Sequence, residues 1–135
     1  MIHLIMGLKG SGKTKKMRDS IEAALATASG DVVCIEYGKT LTYELNYRVR
    51  LVDSKECGVK NSDMLKGLLC GLHAGNFDIT NVYIDNLYKT IGSDRAEGEA
   101  FIAWCAAFAE TNGMDITITV SDDPALASEE VKKYL

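Results

Sequence analysis

The sequence predicts an α/β fold of three layers, with about five mostly parallel strands and helices on both faces. Two observations carry this. Short aliphatic or β-branched runs alternate with amphipathic segments along the chain, and strands joined through helices pair in parallel. The clearest runs are also apolar without interruption, as strands covered on both faces are. The chain has 135 residues, which suits one domain over residues 1–135 and a core that needs no covalent staples.

Each element has its own warrant. Residues 2–6 are an apolar run closed by Gly7, with His3 a strand-side packing residue. A glycine-rich loop leads into a helix over about 13–28. There Met17, Ile21, Ala24, Leu25 and Ala28 fall on one face, and Gly30 offers a stop. Residues 32–35 form a second buried strand. Residues 47–52 alternate, as a half-buried strand does, and place Arg48 and Arg50 on one face. Residues 37–46 between them give no clear signal and are the one sizeable irregular insert. Asn61, Ser62 and Asp63 offer N-caps for a helix to about residue 74, with Leu65, Leu68, Leu69 and Leu72 on one side. Residues 82–84 are a strand ended by Asp85. A helix over about 94–111 buries Ala100, Phe101, Trp104, Cys105 and Phe108, with Gly113 beyond it. Residues 116–120 are the last strand, and Asp123-Pro124 opens a C-terminal helix. No repeat or low-complexity tract interrupts this order.

Composition excludes several classes. Hydrophobic residues are 47% and charged residues 25%, the balance of a soluble globular domain rather than a disordered or fibrous one. The longest uncharged apolar stretch, residues 100–109, is too short to span a bilayer. No secretory signal is visible, so a cytoplasmic location and no membrane segment are expected. The net charge of −4 speaks against general nucleic-acid binding. Charge is nevertheless polarised: residues 1–60 hold ten Lys/Arg against seven Asp/Glu, and residues 61–135 hold five against twelve. An anionic ligand is expected in the first half. Cys34, Cys57, Cys70 and Cys105 show no metal-ligand spacing among themselves or with His3 and His73. They read as buried small hydrophobes in a reducing compartment.

The informative stretch is Gly7-Leu8-Lys9-Gly10-Ser11-Gly12-Lys13-Thr14. It matches G-x-x-x-x-G-K-[ST] at every specified position, after a strand and before a helix, the context this pattern requires. The glycines let successive N–H groups point inward at phosphate oxygens. The helix behind them adds its N-terminal positive end. Lys13 is expected to reach the β- and γ-phosphates and Thr14 to ligate Mg²⁺ through its hydroxyl. Lys9, Lys15, Lys16 and Arg18 extend the positive field as solvated charges. Asp85, after the apolar residues 82–84, fits the Walker B form, in which the carboxylate serves the magnesium shell.

On these residues the chain resembles the P-loop NTPase superfamily. The fold is similar over the whole length, while the specific motifs cover 7–14 and 82–85. The chain is also similar to very short stand-alone P-loop proteins labelled twitching-motility (PilT-type) ATPases. The long motors of that type carry a further N-terminal domain and acidic and histidine boxes that find no counterpart here, so no pilus role is read from the label. The resemblance implies ATP and Mg²⁺ as ligands and a nucleoside-triphosphatase of the RecA-like or additional-strand type.

Hydrolysis needs a group to orient water and a cation for the transition state. Many P-loop ATPases place a Glu directly after the Walker B Asp; here that residue is Asn86, which orients water but takes no proton. Glu36, at the end of the second strand, stands where RecA-like ATPases carry a catalytic glutamate. It reads either as that residue or as a solvated strand-end carboxylate. Arg95 is an arginine-finger candidate, as are Arg48 and Arg50, and each also reads as a surface arginine. A neighbouring subunit or protein partner is the other source of a finger. Ser121 reads as a γ-phosphate sensor or a helix cap. Three functions are open: a small Mg²⁺-dependent ATPase, a non-catalytic nucleotide-binding regulatory module, and a small-molecule kinase. A GTPase is disfavoured, because no Asn/Thr-Lys-x-Asp motif follows a late strand.

Overall fold

Five strands form one sheet in a computed structural model that describes residues 1–38, 45–92 and 94–135. They are β1 (Ile2–Gly7), β2 (Asp31–Glu36), β3 (Arg50–Asp53), β4 (Ile79–Ile84) and β5 (Asp115–Ser121). The order is β1-β5-β4-β2-β3 and every neighbouring pair is parallel. The helices are α1 (Lys13–Thr27), α2 (Ser62–Gly75), α3 (Leu87–Ile91), α4 (Arg95–Asn112) and α5 (Glu129–Lys132). The α/β class, the parallel sheet and the three layers are as the sequence predicts. Of the irregular segment 37–46, residues 39–44 lie outside the described residues.

Successive residues of a strand face opposite sides of the sheet, and this sorts the core. On one side α1 lays Met17, Ile21 and Leu25 against Val32, Cys34 and Tyr83. On the other, Leu65 and Leu69 of α2 and Phe101, Ile102 and Cys105 of α4 meet Val33, Ile35, Val82, Ile84, Ile116, Ile118 and Val120. Asn61 caps α2 by accepting the Met64 N–H at 2.9 Å, and Gly113 ends α4 in the left-handed region at φ 63°. Both were marked in the sequence.

Several expectations are corrected. The strand expected over 47–52 begins only at Arg50. The Asn46 side chain accepts the Arg48 N–H at 2.9 Å and its carbonyl accepts the Val49 N–H at 3.0 Å, so residues 46–49 turn. The C-terminal helix is two pieces. Pro124–Leu126 is a 3-10 turn, with Asp123 accepting the Ala125 N–H, and α5 starts separately after Ser128. Helix α3, five residues long, is too short to show a helical period. Ala100 faces solvent on α4. Cys57 and Cys70 are exposed; only Cys34 and Cys105 are buried. His3 is exposed, on the opposite face of β1 from the buried Ile2 and Leu4. No described helix is long and apolar enough to cross a membrane.

Candidate functional site

Loop 7–14 closes the carboxyl end of β1 and opens α1. Gly10 and Gly12 have φ of 84° and 86°, a region closed to most side chains. Gly7 is buried against the loop itself: a Cβ there would collide with Ser11 Oγ and lie 2.9 Å from Ser11 Cβ. The Ser11 N–H donates to the Leu8 carbonyl at 3.0 Å. Lys13 Nζ folds back onto the same carbonyl at 3.2 Å. The first turn of α1 holds no acidic residue, so its N-terminal partial positive charge is not offset locally.

The loop borders a cavity of 470 Å³ lined by Lys9, Gly10, Gly12, Lys13, Thr14, Lys15, Arg18, Asp85, Asn86, Thr119 and Ser121. Residues 70 positions apart in the chain thus share one hollow at the carboxyl ends of parallel strands, where ligands of open α/β sheets bind. The sheet order explains the meeting. β5 lies between β1 and β4, so Thr119 and Ser121 stand between the loop and Asp85. Arg18, read from the sequence as a solvated charge, is part of the lining.

Asp85 is held from two sides. Its N–H donates to the Ile35 carbonyl at 2.9 Å. The Thr119 hydroxyl donates to its Oδ1 at 2.6 Å and accepts the Asn86 N–H at 2.7 Å. Asn86 is the one described non-glycine residue with positive φ, 56°. The left-handed turn there redirects the chain from β4 into α3. Asparagine tolerates that region better than most residues.

Glu36 is buried, 1% exposed, so the solvated-carboxylate reading is set aside. β2 is hydrogen-bonded to β4, with Ile35 beside Ile84. One step on, Glu36 ends β2 and Asp85 follows β4, both on the α1 side by alternation. Cys34 feels them both: its thiol is raised by burial first, then by the charges of Asp85 and Glu36. The Glu36 carbonyl accepts the Ser54 N–H at 2.8 Å and its hydroxyl at 3.1 Å, which fixes the strand end. Glu36 is not among the residues lining the loop cavity.

The arginine-finger candidates are elsewhere. Arg95 makes a two-pronged pair with Asp122, Nε to Oδ2 at 2.9 Å and Nη2 to Oδ1 at 3.1 Å. The Tyr88 hydroxyl donates to the same carboxylate at 3.2 Å. Burial and the Asp122 charge push that phenol up to about 12, so it stays a donor. Arg95 therefore points into a Tyr88–Asp122 cluster and does not line the loop cavity; with its side chain 42% exposed it matches the surface-arginine reading. Arg48 and Arg50 line a different hollow of 530 Å³ with Asp31, Gly75 and Asn76.

Thr14 and Asp85 supply hydroxyl and carboxylate oxygens, the hard donors that suit Mg²⁺. No group of three or more His, Cys, Asp or Glu suited to a metal occurs among the described residues. The donor set thus fits a cation that draws its other ligands from phosphate and water. No protein-family model matches the chain, and no curated protein matches it. Thr119 was missed in the sequence, where it reads as one more β-branched strand residue; its only signal is a hydroxyl inside an apolar run.

Proposed function

We propose that this chain binds Mg-ATP in the loop cavity and hydrolyses it. The observation that carries the reading is that the loop, Thr14 and Asp85 line one hollow at the carboxyl edge of a parallel sheet. The position of β5 between β1 and β4 supports the additional-strand type. In this reading, backbone N–H groups of 10–14 and the α1 N-terminus hold the phosphates. Lys13 leaves the Leu8 carbonyl for the β- and γ-phosphate oxygens, and Lys15 and Arg18 add positive charge. Thr14 and Asp85 hold Mg²⁺, which when bound neutralises charge on those oxygens. A water oxygen bonds to the γ-phosphorus as the bond from that phosphorus to the β–γ bridging oxygen breaks, and Glu36, beside Asp85 but outside the cavity lining, accepts the proton through one intervening water. A neighbouring subunit or partner completes the cationic side, because Arg95 is engaged by Asp122.

A non-catalytic binding module is the second reading. Asn86 directly after Asp85 and the pairing of Arg95 favour it. Phosphate release from Mg-ATP, measured per protein molecule over a wide range of protein concentration, decides between them. A specific rate that rises with concentration is expected, from a site completed between subunits. Tight binding with no release at any concentration overturns hydrolysis in favour of the module. Release that needs an added acceptor, with phosphate appearing on it, indicates a kinase.

A further inference from the structure

The Thr119 hydroxyl carries one proton and faces two groups. The Asn86 N–H donates to its oxygen at 2.7 Å, and the oxygen lies 2.6 Å from Asp85 Oδ1. An ionised carboxylate only accepts, so the hydroxyl proton is committed to Asp85. The distance is that of a charge-assisted O–H···O bond. Thr119 is 1% exposed, so water does not compete for it, and its β-branched side chain is stiff at χ1. The hydroxyl belongs to β5, the carboxylate follows β4, and the two strands are in register up to Ile84 and Ile118, one residue earlier. One short bond thus ties the two strands where both border the loop cavity.

We propose that Thr119 is the positioning residue for Asp85: its hydroxyl occupies Oδ1 and aims the remaining carboxylate oxygen at the cation side of the cavity. Ser121, two residues on, also lines the cavity but has no such bond to Asp85. This inference rests on the Mg-nucleotide reading, and the role assigned to Thr119 acts through Asp85. Partners that orient a metal ligand in this way typically change metal affinity about 10- to 100-fold when removed.

The test compares ATP affinity with excess Mg²⁺ and with EDTA, read by displacement of a fluorescent ATP analogue. In the unaltered protein Mg²⁺ strengthens binding by a measurable factor. Thr119→Val keeps the shape and removes the hydroxyl. The expected result is a loss of about tenfold or more from that factor, with the EDTA affinity unchanged. Thr119→Ser, which restores a hydroxyl, is expected to recover the factor, a result that lost packing alone does not produce. Thr119→Ala replaces the Val variant in the comparison if valine is not accepted in the fold. Hydrogen exchange at the Asn86 amide, without nucleotide, is expected to speed up in the Val or Ala variant and stay slow in the Ser variant. Full retention of the Mg²⁺ factor in a folded variant lacking the hydroxyl, while Asp85→Asn abolishes it, overturns the positioning role alone. Absence of nucleotide binding in the unaltered protein, or a Mg²⁺ factor that Asp85→Asn leaves intact, instead overturns the reading on which it rests.

Discussion

Replacing Lys13 with Ala separates the loop's chemistry from its structure. In the fold described above the Lys13 ammonium makes a single exposed bond, to the Leu8 carbonyl at 3.2 Å. Exposure to water holds such a bond near the low end of the usual range of about 0.5–1.5 kcal/mol, so the variant is expected to fold and to unfold at nearly the same temperature. The proposed nucleotide-bound state differs. There the ammonium is expected to face two phosphate oxygens, and a hydrogen bond to a charged group contributes about 1.5–3 kcal/mol. Taking roughly 3 kcal/mol for the pair, after allowing for solvent in an open cavity, gives an affinity loss of about a hundredfold or more. Titration calorimetry with Mg-ATP reads the loss, and a thermal melt of the same sample shows that the fold is intact. Unchanged affinity in a folded variant would refute the assignment of the loop. A variant that fails to fold would refute the claim that Lys13 contributes nothing to the core.

Three further outcomes are expected. Glu36→Gln should keep Mg-ATP affinity and lose phosphate release; normal release in that variant removes Glu36 from the chemistry. Asp122→Asn should lower the melting temperature at neutral pH. The hydrogen bond from Arg95 chiefly holds the Asp122 carboxyl below its ordinary range, so the stabilisation is complete above about pH 4 and disappears as pH falls through the lowered value. A difference between the two melts that stays constant into strong acid contradicts this. Phe101→Ala deletes the largest fully buried side chain among the described residues and should cost about 3–5 kcal/mol in denaturant unfolding; a loss below about 1 kcal/mol would mean that α4 is not packed as described.

How far the sequence carried varies by element. The N-cap at Asn61 and the apolar face of α2 were legible because both are local, set by one side chain and a 3.6-residue period. The short elements were not. Helix α3 spans barely more than one turn, and the Pro124–Leu126 turn differs from a helix start only in how residues 127–128 continue. The surroundings of the arginines were illegible for another reason. Their charge is visible in the sequence, but their partners are not: Arg95 finds Asp122 27 residues away, and Arg18 faces the cavity by its place on α1.

The sequence by itself determined the strand–helix alternation, the glycine-rich turn at 7–14 and the acidic residue after the fourth strand, because each is a pattern of near neighbours. Only the tertiary structure decided that β5 inserts between β1 and β4, bringing Thr119 against Asp85 and setting Glu36 on the strand beyond. Strand order is chosen by which apolar faces α1, α2 and α4 cover best. That is a property of the whole core, and no window of sequence contains it.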